Sequence, residues 1–337
     1  MGIRARTPLT ARRAIITGVG GQDGSYLAEL LLERGYEVVG IVHRPDAVYE
    51  NLADVRERVE LVHAELLDQE ALVAVLRAHE PHEVYNLASP SFVPRSWREP
   101  VATAEFAAVG VTSLLEAVRA VDPAIRVYQA SSSEIFGEPA EVPQTEGTRL
   151  APLTPYGVAK AYGHFIIGSY RRRYGLHGSC GILYNHESPR RPLDFLPSKV
   201  AHAAAAIALG LEEGLALGDL DAQRDWGYAG DYVEAMWRMV QQDEPDDYVI
   251  ATGELHTVRE LTEVAFGHVG LDWQEHVRVD DTLKRGQAEL HHLVGDASHA
   301  SRELDWRPSV GFEQLVCLLV DAAYARLDRG SQALTSS

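Results

Sequence analysis

The stretch AIITGVGGQDGSYLAELLLER, residues 14–34, decides the fold of this chain. A short β-branched run leads into a glycine triplet, and a helical pattern follows it. In this strand–turn–helix context Gly18 permits the tight turn, Gly21 lets the backbone approach a pyrophosphate, and Gly24 lets the helix pack on the strand. N–H groups at the helix start then face the phosphate. The alternative is a tight turn without a ligand. The predicted dinucleotide cradle comprises Gly18, Gly21, Gln22, Asp23 and Gly24.

Strand and helix patterns alternate through the first half of the chain. Strands are predicted at residues 14–17, 37–42, 60–63, 83–87, 125–131 and 178–184, and helices at 26–34, 101–121 and 155–174. Right-handed crossovers between such elements give an α/β fold, a Rossmann-type doubly wound parallel sheet. We predict a cofactor-binding Rossmann domain over residues 12–186, to which later segments can return. A smaller α/β substrate lobe over 187–330 and a frayed tail over 331–337 complete the predicted organisation.

Composition narrows the possible partners. The net charge of −18 argues against nucleic acid or an anionic membrane as a partner. We find no signal peptide pattern and expect no apolar stretch long enough to cross a bilayer. The two cysteines, Cys180 and Cys317, fit buried free thiols, which predicts a cytoplasmic protein. No His, Cys and carboxylate residues show metal-ligand spacing, so we predict no metal site.

The end of the second predicted strand bears on the choice between NAD and NADP. An acid at this point binds the ribose hydroxyls of NAD, whereas an arginine accommodates the 2′-phosphate of NADP. Arg44 follows the strand directly and Asp46 comes two residues later. The sequence therefore favours NADP over NAD, with Arg44 on the phosphate and His43 beside it. The alternative is that Arg44 is a solvated loop charge.

Residues after the third and fourth predicted strands complete the candidate cofactor site. Strand carboxyl ends are where open α/β sheets bind ligands. Glu65 and Leu66 are predicted to meet the adenine edge. The nicotinamide ribose is predicted to lie against Leu87, Ala88 and Ser89.

Tyr156 and Lys160 lie one helical turn apart and so share a helix face. A nearby ammonium and a cationic nicotinamide favour the phenolate, so the tyrosine pKa is expected to fall and Tyr156 to act as a base. Ser132, at the end of the fifth predicted strand, is placed to hydrogen-bond the reacting oxygen. The alternative is a Tyr and Lys that merely pack on a helix.

Glu134 adds a second base two residues after Ser132. A simple alcohol dehydrogenase has no use for a carboxylate there, but β-elimination of water requires one. Once a sugar C4 is a ketone, the C5 proton becomes acidic and a carboxylate can remove it. The alternative is that Glu134 is an ordinary surface acid.

Several further segments carry a family resemblance. They are residues 16–18, 21–28, 184–191 (YNHESPRR), 217–227 (LGDLDAQRDWG), 251–254 (ATGE) and 294–296 (VGD). Over residues 12–328 the chain resembles the GDP-mannose 4,6-dehydratases, which are extended short-chain dehydrogenases/reductases. The resemblance implies transient oxidation of C4 by NADP, loss of water across C5 and C6, and return of hydride to C6.

The resemblance also implies residue roles. The catalytic set falls on Ser132, Glu134, Tyr156 and Lys160, and His186 and Arg191 lie towards the cofactor. Contacts to the nucleotide-diphosphate sugar, GDP-mannose by this resemblance, fall on Ser91, Asn185, Lys199, Arg224 and Arg285. Two of these have a structural alternative. Arg224 can instead pair with Asp225 or Asp231, and Asn185 can be a backbone-capping amide.

Three segments depart from the family pattern. Ser132 stands where the family has threonine, and residues 89–92 read Ser-Pro-Ser-Phe where Ala-Gln-Ser-His is usual. Residues 285–291 read RGQAELH, which makes Glu289 the candidate for the acid that binds the ribose. The loop after Arg44 also differs from the family loop that joins subunits. A homodimer through helices 101–121 and 155–174 and a homotetramer therefore both remain open.

Other functions remain alternatives at this stage. Another nucleotide-sugar dehydratase, a 4-epimerase or a 4-keto reductase would use the same Ser–Tyr–Lys group. A non-catalytic NADP-binding regulatory protein on the same fold is the alternative from a different class, because fold alone does not prove function.

Overall fold

The computed structural model describes residues 11–283 and 293–335. Its strands, in chain order, are β1 (Arg13–Thr17), β2 (Glu37–Val42), β3 (Val59–His63), β4 (Glu83–Asn86), β5 (Arg126–Ala130), β6 (Gly178–Leu183), β7 (Asn185–Glu187), β8 (Leu215–Leu217), β9 (Gln223–Arg224), β10 (Trp226–Tyr228), β11 (Asp247–Ile250), β12 (His256–Thr257) and β13 (Val277–Val279). Seven of them form one sheet in the order β11-β6-β5-β4-β1-β2-β3, with parallel neighbours throughout. This confirms the predicted doubly wound α/β fold.

The sheet is buried on both faces, which explains the nearly continuous apolar strand sequences. Ile15 packs into one core with Leu72 and Leu114, whereas its neighbour Ile16 points into the opposite core with Leu27. Successive side chains of a strand alternate between faces, so a strand covered on both sides needs apolar residues at each position. The strand order reverses between β1 and β4, which places a ligand-binding crevice at their carboxyl ends.

Helices cover both faces. They are α1 (Gln22–Glu33), α2 (Gln69–His79), α3 (Val93–Arg98), α4 (Pro100–Ala104), α5 (Gly110–Val121), α6 (Pro155–Tyr174), α7 (Leu196–Ala208), α8 (Ala229–Gln241), α9 (Val258–His268), α10 (Trp273–His276), α11 (Ser298–Glu303) and α12 (Phe312–Thr335). Thr154 caps α6 through a hydrogen bond from Gly157 N, Pro155 starts the helix, and Gly175 ends it in a left-handed conformation.

A π-helical turn, Glu105–Val109, joins α4 to α5. The combined helix Pro100–Val121 is long and apolar enough to cross a membrane by length and composition, so the expectation that no stretch has the required length was wrong. In the structure, Val111, Leu114, Leu115 and Val118 of this helix lie in the core beneath the sheet. Core helices of soluble proteins pass the same test of length and composition.

A second apolar core, formed by α7, α9, α12 and the short strands β8 and β10, lies after residue 187. The chain also returns to the main sheet, where β11 pairs with β6. The last helix, α12, continues to Thr335 and so includes the first residues of the segment predicted as a tail.

Candidate active site

A cavity of about 560 Å³ lies at the carboxyl ends of the central strands, between the main sheet and the second core. Its sheet side consists of residues that follow β1, β4, β5 and β6, and its far side comes from α7 and from the segment between β8 and β10. Open α/β sheets bind ligands at this position, where the strand order reverses. The cavity is therefore the candidate active site.

The glycine cradle forms one end of the cavity, with Gly18, Gly21, Gln22, Asp23 and Gly24 on its wall. Gly18 has φ +71°, which favours glycine. A Cβ on Gly24 would lie 2.4 Å from the carbonyl oxygen of Gly18, so the start of α1 packs directly on the turn. The N-cap Gly21 has no side chain to cover the first N–H groups of α1. These features fit the pyrophosphate of a dinucleotide.

The segment after β6 is hydrogen-bonded to this cradle. His186 Nε2 lies 2.9 Å from Asp23 Oδ2, and Gln22 Nε2 donates to the carbonyl of His186 at 3.1 Å. Ser188 Oγ donates to Gln22 Oε1 at 2.8 Å. Although burial opposes its charge, His186 has a raised pKa because of the carboxylate of Asp23. The glycine cradle and the 184–191 motif, which are far apart in sequence, therefore meet through an ion pair.

Ser132, Tyr156 and Lys160 lie together on the sheet side of the cavity. Lys160 Nζ donates to the carbonyl of Ala130, the last residue of β5, at 3.0 Å, and it lies 5.6 Å from the centre of the Tyr156 ring. Ser132 Oγ accepts a hydrogen bond from Glu134 N at 3.2 Å. Two elements far apart in sequence, the end of β5 and the first turns of α6, thus bring the predicted group together.

The pKa of Tyr156 was expected to fall beside both Lys160 and a nicotinamide, but for the side chains alone it is raised. Burial raises the pKa of Tyr156 well above its usual value, while a hydrogen bond with Ser132 and the charge of Arg191 act in the opposite sense. Burial also lowers the pKa of Lys160 to about 8. A buried phenol needs additional positive charge in the site before it can act as a base near neutral pH.

Glu134 lies on the cavity wall in a 3₁₀ turn, Ser133–Ile135, directly after β5. The hydroxyl of Thr154 donates to Glu134 Oε2 at 3.4 Å. Glu134 is partly buried, so it is not the fully solvated surface acid of the alternative interpretation. A carboxylate beside Ser132 and Tyr156 can exchange a proton with the same bound substrate.

Arg191 supplies a positive charge to the cavity wall. Its Nε atom lies 3.2 Å from Glu187 Oε2, and its guanidinium carbon lies 3.6 Å from the centre of the Phe195 ring. Although the charge of Arg191 favours ionisation of Glu187, burial raises the pKa of this acid. Ion pairing and cation–π stacking together fix the guanidinium in place.

Four residues predicted to contact the substrate, Ser91, Asn185, Lys199 and Arg224, also line the cavity. Lys199 Nζ donates to the carbonyl of Ala216 at 3.1 Å, and Arg224 Nη1 donates to the carbonyl of Gln223 at 2.6 Å. Two cations thus lie on the side of the cavity opposite the sheet, where they can attract a diphosphate.

The two acids considered as structural partners of Arg224 have other contacts. Asp225 accepts hydrogen bonds from Thr252 N and Oγ1 and from Gly253 N. Asp231 accepts hydrogen bonds from Ser309 N and Oγ and from Val310 N. Both carboxylates therefore stabilise loops.

Leu87 and Ser89 line the cavity, whereas the other predicted cofactor residues Arg44, Glu65, Leu66 and Ala88 are not on its wall. Arg44 is exposed after β2. Glu65 pairs with His43 at 2.5 Å, a contact that the sequence did not indicate. Leu66 is buried in the core beneath the sheet, and the backbone of Ala88 lies against Gly18. Arg285 and Glu289 lie outside the described residues.

Sequence reasoning missed two groups of residues. Phe92 and Phe195 line the cavity and meet edge to face, with their ring centres 5.6 Å apart. A second group consists of His164, Cys180 and Asp247, whose possible metal-ligand atoms lie within 4.8 Å of one another. Their spacing in the sequence does not indicate this group. Asp247 also pairs with Arg171 at 2.7 Å, a positive charge that opposes a metal ion there. Both groups join residues from distant segments, so only the fold shows them.

A doubly wound parallel sheet, a glycine cradle and a Ser–Tyr–Lys group at one sheet edge define a Rossmann-fold protein of the short-chain dehydrogenase/reductase type. Residues 15–318 match the model of the GDP-mannose 4,6 dehydratase family. The chain belongs to this family. It is 47% identical over 321 residues to GDP-mannose 4,6 dehydratase 1 of Arabidopsis thaliana, covering 91% of this chain and 88% of the relative.

Other relatives agree with this assignment. The chain is 43% identical over 337 residues to GDP-mannose 4,6 dehydratase of Homo sapiens, covering 92% of this chain and 90% of that protein. Among solved structures it resembles the dTDP-glucose 4,6-dehydratase DesIV of Streptomyces venezuelae, which has NAD bound. The TM-score is 0.81 at 26% identity, covering 94% of this chain and 98% of the other.

Proposed function

We propose that this protein converts GDP-D-mannose to GDP-4-keto-6-deoxy-D-mannose, with NADP as its cofactor. The observation that carries the proposal is that Glu134 lines the same cavity as Ser132, Tyr156 and Lys160. A Ser–Tyr–Lys group alone supports oxidation of a hydroxyl, whereas the additional carboxylate supports elimination. The dehydratase relatives support a dehydratase activity for this chain.

The side chains divide the proton transfers between them. Tyr156 takes the proton of the C4 hydroxyl, with Ser132 holding the C4 oxygen and Lys160 supplying positive charge to the phenol. Glu134 then removes the C5 proton and assists departure of the C6 hydroxyl as water. A proton returns to C5 at the end of the cycle. When bound, the nicotinamide supplies the acceptor of the C4 hydride and its donor to C6.

The cradle residues and Arg44 support the choice of cofactor. Gly18, Gly21 and Gly24 would hold the pyrophosphate, and Arg44 would pair with the 2′-phosphate that distinguishes NADP from NAD. Arg44 is exposed after β2, and it leaves room for an added phosphate at that strand end. His186 and Arg191 would bring positive charge to the cofactor from the segment after β6.

The cavity cations support a nucleotide-diphosphate sugar as the substrate. Lys199 and Arg224 provide positive charge in a protein whose net charge is −18, so anion binding has to be local. By the same charge argument we propose neither a nucleic-acid nor a membrane partner. The two free cysteines support a cytoplasmic location.

Exposed apolar residues on α4, on α6 and on the turn between α4 and α5 support a homo-oligomer. Val101, Val109, Val158 and Phe165 are each more than half exposed. Val158, Tyr162 and Phe165 lie on one face of α6, since they are four and three residues apart. We propose a homodimer through this face, and a homotetramer would form if two dimers associated.

Incubation of the purified protein with GDP-mannose, with and without added NADP, tests the function. The expected product has lost one water with no net use of cofactor, as followed by mass spectrometry. An isomer of unchanged mass would indicate an epimerase, and net oxidation of NADPH with a 4-keto substrate would indicate a reductase. Nucleotide binding without turnover on a panel of sugar nucleotides would indicate a regulatory protein.

A further inference from the structure

A carboxylate that removes a carbon-bound proton has to be held in one orientation, because small displacements of a reacting group cost large factors in rate. Glu134 lies in a short 3₁₀ turn, and its side chain has three rotatable bonds. The structure provides a specific support for it in the first turn of α6. This is the helix that also carries Tyr156 and Lys160.

Thr154 makes two hydrogen bonds at once. Its Oγ1 atom accepts from Gly157 N at 2.9 Å, which caps α6, and its hydroxyl donates to Glu134 Oε2 at 3.4 Å. A hydroxyl has one proton and two lone pairs, so both bonds can exist together. Thr154 is only 4% exposed, and water therefore has little access to replace either bond.

The backbone of the same turn packs directly on Glu134. A Cβ on Gly157 would lie 2.6 Å from the carbonyl oxygen of Glu134, so only glycine permits this approach. The main chain of Glu134 is thus held against Gly157 while its carboxylate is held by Thr154. The main chain and the carboxylate of Glu134 are therefore both held by residues at the start of α6.

We propose that Thr154 is a positioning residue, which orients the Glu134 carboxylate towards the C5 proton and couples its position to that of Tyr156. This inference rests on the proposed function, in which Glu134 is the base for elimination. Because Thr154 acts through Glu134, its loss affects elimination and leaves the earlier oxidation at C4 largely intact.

The test compares three variants at this position. Thr154→Ser keeps both bonds, Thr154→Asp keeps a helix cap but has no proton to donate, and Thr154→Val loses both. We expect Thr154→Asp and Thr154→Val to lose about 100-fold in the rate of water loss, and Thr154→Ser to restore it to within a few-fold of wild type. KM for GDP-mannose is expected to change little.

Step-resolved kinetics separate positioning from general damage. In a single turnover, absorbance of the reduced nicotinamide reports C4 oxidation and mass spectrometry reports loss of water. Thr154→Asp is expected to accumulate reduced cofactor, and the same result is expected for Glu134→Gln. Asp68→Ala, which removes the cap of α2, is the matched control for cap loss and should leave both steps unchanged.

The possible results separate a failure of the proposed function from a failure of the role proposed for Thr154. If wild type removes no water from any sugar nucleotide, the proposed function and this inference are both overturned. If wild type is active and Glu134→Gln stops elimination, but Thr154→Asp and Thr154→Val eliminate water at the wild-type rate, only the role of Thr154 is overturned. Equal loss of both steps in Thr154→Asp would also overturn it, since that result indicates a structural role.

Discussion

His186 Nε2 lies 2.9 Å from Asp23 Oδ2, so the segment after β6 and the start of α1 are joined beside the glycine cradle. The Nδ1 atom of the same ring lies 2.7 Å from the carbonyl of Tyr184, and the ring stacks on Tyr232 with centres 4.5 Å apart. An imidazole with acceptors at both nitrogens is best satisfied when doubly protonated. The pair therefore acts as a buried ion pair.

This ion pair predicts a pH-dependent contribution to stability. The pKa of Asp23 is lowered to about 2 against the opposing effect of burial, chiefly by the charge of His186. Its contribution to stability is therefore complete above about pH 4 and is lost as the pH falls from there through about 2. The pKa of His186 is raised, so its contribution is complete below about pH 6.5 and is lost as pH rises through the raised value. At about 1.4 kcal/mol per pKa unit, the shift of Asp23 implies that His186→Gln costs about 2 kcal/mol near pH 5.5 and less at pH 9.

Urea denaturation of wild type and His186→Gln at the two pH values measures this difference. His43→Gln is the matched control, because His43 also pairs with a carboxylate but its side chain is 69% exposed. An exposed pair contributes little, so the control should change stability by less than about 0.5 kcal/mol. A pH-independent loss in His186→Gln would contradict the ion-pair interpretation.

Glu134→Gln is expected to separate oxidation from elimination. Glutamine keeps the size of the side chain but cannot accept the C5 proton, so water loss should fall by at least about 100-fold while oxidation at C4 continues. Single-turnover absorbance and mass spectrometry measure the two steps. Glu138→Gln, at an exposed position four residues later, is the control and should match wild type. Unchanged water loss in Glu134→Gln would remove this residue from the mechanism.

The sheet and the cradle were predictable because they depend on local patterns. The periodicity and the glycine placement within a single segment are enough to predict the strand before Gly18 and the helix that carries Gly24. Tyr156 and Lys160 share a helix face by spacing alone. Each of these features needs only a few neighbouring residues to be recognised.

The contacts that organise the site were not predictable, because they join distant segments. Thr154 meets Glu134 across 20 residues, and His186 meets Asp23 across 163. The pKa of Tyr156 also depends on burial, which its sequence neighbours do not reveal. Spacing gives the direction of a side chain on its own helix, whereas the fold decides what it contacts.

Arg44→Ala is expected to weaken NADP binding without changing NAD binding. Loss of a charge-assisted contact to a phosphate should cost about 10-fold or more in affinity, and NAD has no phosphate at this position. Isothermal titration with both nucleotides measures the change. Arg302→Ala removes an exposed arginine from α11 and is the control. Equal weakening of both nucleotides would argue against a 2′-phosphate contact.

Gly24→Ala is expected to damage the cradle. The new Cβ would lie 2.4 Å from Gly18 O and 2.6 Å from the Cα of Val19, and both are backbone atoms that cannot rotate away. Overpacking of this kind costs about 1–3 kcal/mol and should also weaken nucleotide binding. Thermal denaturation and titration with NADP measure the two effects.

The control for this substitution is Gly267→Ala. Position 267 lies in α9, and among the described residues an added Cβ there meets nothing within 4 Å apart from its chain neighbours and the backbone of its own helix. Alanine is the better helix former, so this variant should be as stable as wild type or more stable. If Gly24→Ala behaved in the same way, the close packing of α1 on the turn would not matter for binding.

Phe165→Glu is expected to dissociate the proposed dimer. Phe165 is 60% exposed, and it lies on the same face of α6 as Val158, which is 56% exposed. A contiguous apolar face of this kind marks an association surface, and burying a carboxylate in it is costly. Light scattering should shift from a dimer towards the 37.1 kDa chain. Leu211→Glu places the same charge on an exposed apolar residue after α7 and should leave the mass unchanged. A dimeric Phe165→Glu protein would exclude the α6 face as the interface, because a buried unpaired charge at its centre could not be tolerated.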